Sequence, residues 1–175
     1  MGVDRREQLL AHLRRAARPV TGTELASIFG VSRQVIVQDV AILRAAGEPI
    51  VATPQGYVLS PHLAVTHRAV IASKHSRNQT QDELYCLVDA GVRVVDVVVE
   101  HPLYGELRGL LMLATRADVD RFMSQLDASG AELLSSLTGG VHLHTIEAPD
   151  RNALDRARVA MREHGYLLEE PPAGT

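Results

Sequence analysis

His142 and His144, separated by one leucine, are the side chains of this 175-residue chain that most directly invite chemistry. The stretch around them, Val141–Glu147, alternates in polarity and is expected to form a strand. Residues two apart on a strand share a face, so both imidazoles project together, about 6–7 Å apart, while Val141, Leu143 and Thr145 face the other way. That is half of a transition-metal site. His75 ends an earlier expected strand, His67–His75, on the face of Ala69 and Ile71, and so points inward. Glu83 stands four positions before Leu87, at the edge of the buried stripe of an expected helix. A carboxylate there needs a cation or hydrogen bonds, because an unpaired charge in low dielectric is costly. One set of His75, Glu83, His142 and His144 around a divalent ion would satisfy all four groups. Nitrogen and oxygen donors without thiolate suit Zn²⁺, Ni²⁺ or Fe²⁺. The opposing reading pairs His75 with Glu83 and leaves His142 and His144 on the surface. The residues alone leave both open.

Two further places can do chemistry. His101 lies in the turn His101-Pro102-Leu103-Tyr104-Gly105, after a strand whose inward face reads Val95, Val97 and Val99. It can hydrogen-bond a ligand or satisfy the turn's own backbone. Thr138-Gly139-Gly140 permits close backbone approach just before the histidine strand, so its amides can receive an anion. Cys86, beside Leu87, is expected to pack as a small apolar residue. His12, His62, His67 and His164 have no partner visible in sequence.

The third set suits the reading of DNA; the opposing reading makes Arg33 and Gln34 solvated surface on an element used only for protein contacts. Arg33, Gln34 and Gln38 follow Ser32 at the start of an expected helix running to Ala46, whose apolar stripe is Ile36, Val40 and Leu43. Arginine forks to guanine O6 and N7, glutamine pairs with the adenine edge, and a serine hydroxyl reaches phosphate. Ser32, Arg33, Gln34, Val37 and Gln38 are therefore the candidate DNA-reading residues. The elements that must position them are short. A first helix spans residues 4–17, and a second follows Thr23, a plausible N-cap, through Phe29. Gly30-Val31-Ser32 makes the turn into the third helix. Pro49–Ala52 and Gly56–Leu59 then read as a hairpin, whose Gln55 and Tyr57 can touch backbone or minor groove. Three helices and a hairpin make a winged helix-turn-helix, in which the third helix enters the major groove of double-stranded DNA.

Beyond Ser60-Pro61, the expected boundary, strands mix with helices. After His67–His75 come a helix Thr80–Ala90, strands Val92–Glu100 and Leu107–Ala114, a helix Asp118–Ala128, the histidine strand and a helix Asp150–His164. That order is a split βαβ, ferredoxin-like sandwich with one extra helix. The fold class is thus α+β, with a winged helix-turn-helix over residues 1–60 and an α/β sandwich over 61–175. Residues 1–60 hold seven arginines against five acidic residues, a net charge of +2, while the remainder carries −5. A polyanion partner belongs at the front. No apolar run reaches the roughly 18 residues of a membrane span, and a single cysteine suits a reducing compartment. The expected location is cytoplasmic.

The segment TGTELASIFGVSRQVIVQDVAILRAAG resembles the helix-turn-helix of biotin repressors and their relatives. Nothing after residue 60 looks like the ligase domain that biotin repressors carry, which decides against that family. KHSRNQTQDELYCLVDAGVRVVDVVVEHPLYGEL and LTGGVHLHTI are instead similar to the 3H domain. Together, over residues 5–168, the two parts resemble the niacin-responsive repressors of NAD biosynthesis and niacin uptake (NiaR type). The motifs HPxYG, LTxGxHxH and H-x₇-E stand intact at His101–Gly105, Leu137–His144 and His75–Glu83. The resemblance implies metal ligands at His75, Glu83, His142 and His144, nicotinic acid as corepressor, a homodimer and an operator. If the protein itself holds the effector carboxylate, Thr138, Gly139, Gly140 and His101 are the candidates. Two rivals remain: a repressor for which the ion itself is the signal, and a metal-dependent hydrolase on a DNA-binding tether. The latter lacks a second carboxylate clearly placed as general base, Glu100 and Glu147 being unremarkable.

Overall fold

Arg5 and Asp39 tie the front of the chain together. In the computed structural model, which describes residues 2–59 and 67–169, the Arg5 guanidinium bonds both oxygens of the buried Asp39 carboxylate, at 2.7 and 3.2 Å. That pair links α1 (Gly2–Arg15) to α3 (Arg33–Ala45). Between them, α2 (Gly22–Phe29) is capped by Thr21 rather than by Thr23. The Thr21 hydroxyl accepts from the Glu24 amide at 3.1 Å, and the Glu24 carboxylate accepts from the Thr21 amide at 2.8 Å. This reciprocal capping box, Thr-x-x-Glu, is a stronger start signal than Thr23 alone. Strands β1 (Ile50–Thr53) and β2 (Gly56–Leu59) form the hairpin, and Tyr57 bridges back to Val20. Leu9, Leu13, Leu25, Ile36, Val40 and Ile50 fill the core.

The chain divides into two units, Met1–His62 and Leu63–Thr175. The expected boundary at Ser60-Pro61 lies outside the described residues. In the second unit β3 (His67–Lys74) leads through a 3₁₀ turn, Arg77–Gln79, into α4 (Thr80–Asp89). Then follow β4 (Arg93–His101), β5 (Gly105–Leu113), α5 (Arg116–Ser129), a 3₁₀ turn at Leu134–Thr138, β6 (Val141–Ala148) and α6 (Arg151–Glu163). Element types and order are those expected, and the fold is α+β. The two 3₁₀ turns carry no periodicity that would have signalled them.

The sheet order is β3-β6-β4-β5, every neighbouring pair antiparallel. A ferredoxin-like sheet puts its last strand at an edge, whereas here β6 sits between β3 and β4. Both crossovers remain split βαβ units. The consequence for chemistry is direct: His142 lies opposite Ser73, and His144 lies between Ile71 and Val97. An interior strand buries both imidazoles. Ile71, Val94, Leu113 and Ile146 on the same sheet face meet Leu87 and Met161 from the helices. A register shift between Val94 and Asp96 puts Val94, not Val95, on this core face ahead of Val97.

Candidate functional site

Three imidazoles and one carboxylate converge at the N-terminal end of α4. His75 Nε2 lies 2.7 Å from Glu83 Oε2, His142 Nε2 3.2 Å from Oε1, and His144 Nε2 3.4 Å from Oε2. The His75–His142 and His142–His144 ring pairs meet edge-on at 4.9 and 4.7 Å. The surface reading of the histidine pair fails, since His142 and His144 are 3% and 2% exposed. Each ring is also held from behind. Nδ1 of His75 donates to the Ser76 carbonyl at 2.8 Å, that of His142 to Gly140 at 2.9 Å, and that of His144 to Asp96 at 2.7 Å. A carbonyl only accepts, so every Nδ1 carries a hydrogen and every Nε2 turns toward Glu83. In the neutral tautomer this leaves nitrogen lone pairs facing carboxylate oxygens, an arrangement that needs a cation or protons at its centre. Backbone carbonyls behind ligating imidazoles are the usual support of a metal site.

The electrostatics agree. Burial pushes the Glu83 carboxyl up, but the charge of His144 and hydrogen bonds from His142, His144 and His75 overcome it and hold the group well below the ordinary range. For His75, burial works downward, and the Glu83 hydrogen bond and charge with the Ser76 carbonyl turn the net shift upward. His144 is raised in the same way, against burial and the charge of His75, by Glu83 and the Asp96 carbonyl. Two hydroxyls beside the tetrad, Ser73 Oγ and Thr80 Oγ1, are buried without hydrogen-bond partners.

The other expected ligand-holding residues are engaged elsewhere. His101 Nδ1 accepts from the amides of Leu103 and Tyr104 at 3.1 and 3.3 Å, so it satisfies its own turn. The amides of Gly139 and Gly140 both donate to the Ser135 carbonyl and present no free nest to an anion. The single hydroxyl hydrogen of Thr138 is shared between the carbonyls of Ser135 and Val141. Gly140 serves the site differently. At φ +93°, a β-carbon there would lie 2.3 Å from the His75 carbonyl oxygen, so only glycine fits between the two histidines it supports.

On the front unit, Ser32, Arg33, Gln34 and Gln38 are exposed at the start of α3, and Val37 is half-buried beside them. The Ser32 hydroxyl accepts from the Val35 amide at 3.3 Å as the helix cap, and its own hydrogen stays available to a phosphate. Tyr57 is half-buried, its ring packed against the front core. Gln55 is half-buried, and its Oε1 is buried without a partner. Gly22 was not legible as a contributor. A β-carbon on it would lie at ordinary contact distance, 3.4 Å from Arg33 Nε and 3.5 Å from the Tyr57 ring, so Gly22 sits directly beside the candidate arginine and the wing. Equally hidden from sequence were Asp96, fully buried inside an apolar run, and the partners of two histidines. Asp96 takes the Thr145 amide and Arg108 at 3.0 Å each, fixing the carbonyl that orients His144. His164 meets Asp82 at 3.1 Å, and His12 stacks edge-on against Phe29. Cys86 is buried, as expected.

Residues 68–170 match the 3H domain family, and residues 5–58 match a helix-turn-helix domain family. The transcription repressor NadR of Bacillus subtilis (strain 168) is 45% identical over 173 residues, covering 97% of this chain and 96% of that protein. The probable transcription repressor NiaR of Thermotoga maritima is 44% identical over 167 residues, with 95% of each covered. No single helix among the described residues is long and apolar enough to cross a membrane.

Proposed function

This chain belongs to the 3H-domain family of helix-turn-helix transcription repressors, and from that premise we propose that it is a metal-containing, nicotinic-acid-responsive repressor of NAD biosynthesis or niacin uptake genes. The observation that carries the proposal is the buried tetrad, in which three carbonyl-held imidazoles turn Nε2 toward one carboxylate. His75, Glu83, His142 and His144 would hold one divalent transition metal, Zn, Ni or Fe, and the ion would supply fixed positive charge and Lewis acidity for an anionic effector. The protein acts as a homodimer in this reading, its rear units setting the spacing of two winged helices on a near-palindromic operator. Nicotinic acid favours repression by binding the DNA-competent arrangement better than the other. The relatives are named repressors, which sets the hydrolase reading aside.

The test is operator affinity measured with metal fixed and nicotinate varied, then with nicotinate fixed and metal varied. Tighter operator binding with nicotinate at constant metal supports the proposal. A response to metal alone transfers the role of signal to the ion, and the effector reading fails.

A further inference from the structure

A second group of donor side chains lies outside the tetrad, where α4 meets the end of α6. Asp82 and Cys86 stand four residues apart on α4 and so share one face. Beside them α6 closes in a Schellman turn. The Gly165 amide donates to the Arg162 carbonyl at 3.0 Å, and the Tyr166 amide to that of Met161 at 2.9 Å. Gly165 takes φ +76° to make this turn. The turn leaves His164 exposed and Tyr166 buried, with both on the same oxygen of Asp82. His164 Nδ1 lies 3.1 Å from Asp82 Oδ2, and the Tyr166 hydroxyl donates to that oxygen at 2.6 Å. Cys86, the chain's one cysteine, is 8% exposed.

The donor atoms of Asp82, Cys86 and His164 all lie within 4.8 Å of one another, as do those of His75, Glu83 and His142 in the tetrad. Around a tetrahedral ion with bonds of about 2.0–2.3 Å, donors stand roughly 3.3–3.8 Å apart. The Asp82 and His164 side chains are about half exposed, so rotation at the surface closes the difference. A surface ion pair needs only these two. The thiol beside them adds a soft donor, which selects zinc-like ions over magnesium or calcium. Burial, then the charges of Asp82, Asp89 and Glu83, push that thiol up to about 11. It is therefore a poor nucleophile at neutral pH, and the negative surroundings that hold its proton also favour a cation in the proton's place. We propose that Asp82, Cys86 and His164 form a second metal site, open to solvent, for a thiophilic divalent cation of the zinc type. Water takes the fourth position, and the Tyr166 hydroxyl orients the carboxylate from the buried side. An ion here ties the end of α6 to the helix that carries Glu83. With two exposed ligands the ion exchanges readily, so the metal retained through purification is the tetrad's. The site stands independently of the effector reading.

The experiment is titration of the metal-free, full-length protein with Co²⁺, read by bound cobalt per chain and by thiolate-to-cobalt charge-transfer absorption in the near ultraviolet. The tetrad offers no sulfur and Cys86 is the one cysteine, so this band reports the second site alone. The natural chain should bind two equivalents, the weaker of them developing the band. Cys86→Ser should bind one equivalent without a band. His164→Ala keeps the thiol and changes only an exposed side chain, so it decides the matter even if Cys86→Ser fails to fold. It should need at least about tenfold more cobalt to develop the band, with the tighter equivalent unchanged. A band with a single equivalent keeps this site and counts against the tetrad. No band in the natural chain at saturating Co²⁺, or a band that develops as readily in His164→Ala, overturns the site and leaves an ion pair beside a packed thiol.

Discussion

The front unit keeps its working residues outside, and the rear unit keeps its own inside. Arg33, Gln34 and Gln38 stand in solvent on a helix whose opposite face holds the core, so they contribute little to folding. Glu83, His142 and His144 are 1–3% exposed and form part of the interior. An exposed reader can be changed without cost to the fold, and its loss is felt only when DNA is present. A buried polar cluster links ligand binding to stability, because whatever satisfies it also holds the unit together. The rear unit's polar cluster is therefore coupled to its fold, and the exposed residues of the front unit's third helix are not.

The largest expected effect comes from breaking the tetrad at its one acid. Glu83→Ala leaves three imidazoles facing each other without an anion. Removing one partner of a buried charge cluster costs about 3–5 kcal/mol. Chemical denaturation should show the rear unit destabilised by that order while the front unit unfolds as before, and metal content should fall to background. Retention of stoichiometric metal in this variant contradicts the ligand assignment. His142→Ala and His144→Ala should act in the same direction, each leaving the other ligands in place.

Proton linkage sharpens the same contrast. His75 and His144 are raised above their ordinary value of 6.5 by Glu83. Their contribution to the metal-free protein is therefore complete below about pH 6.5 and is lost as pH rises through the raised values. Glu83 is lowered from 4.5, so its contribution is present above that pH and disappears toward acid. A tenfold change in proton affinity on folding is worth about 1.4 kcal/mol. The thermal midpoint of the rear unit in the metal-free protein should fall as pH climbs past neutrality. Added Zn²⁺ should reverse that trend, because the metal takes the place of the protons and binds better as they leave. A midpoint indifferent to pH on both sides would remove the coupling between site and fold.

On the front unit the effect is smaller and of another kind. Arg33→Ala should weaken operator binding by about 1–3 kcal/mol and relax base choice at one position, measured by titration against a panel of single-base operator variants. Metal content and melting of the rear unit should not change. Gly22→Val should have a smaller effect through the same arginine, since a β-carbon there already reaches contact distance of Arg33 Nε, 3.4 Å, and the branched side chain extends beyond it. A loss of stability as large as the loss of affinity would mean that the reading surface is part of the core after all.

Legibility in the sequence followed this division. The winged helix was readable to within a few residues because amphipathic stripes and caps are local signals, and its errors were local too, as with Thr21 for Thr23. The tetrad was readable because strand alternation and one out-of-place carboxylate both point inward. What escaped needed the tertiary arrangement. No local pattern places β6 between β3 and β4, and no hydropathy window marks Asp96, whose carbonyl orients His144. The Gly139–Gly140 pair reads as an open anion nest because sequence shows the permissive backbone but not the Ser135 carbonyl that fills it.

His101 supplies the smallest expected effect and the finest test of the division. It lies in the same kind of histidine-bearing motif as the tetrad, yet its ring accepts two amides of its own turn and stacks on Tyr104 at 5.0 Å. A residue that only closes a partly exposed turn is worth about 0.5–1.5 kcal/mol. His101→Ala should lower the stability of the rear unit by no more than that. His101→Asn should recover part of it, because its side-chain carbonyl can accept the same amides. In both variants nicotinate affinity and metal content should match the natural chain. A drop in nicotinate affinity without a drop in stability would move His101 from the turn to the effector, and would show that the rear unit, too, works from its surface.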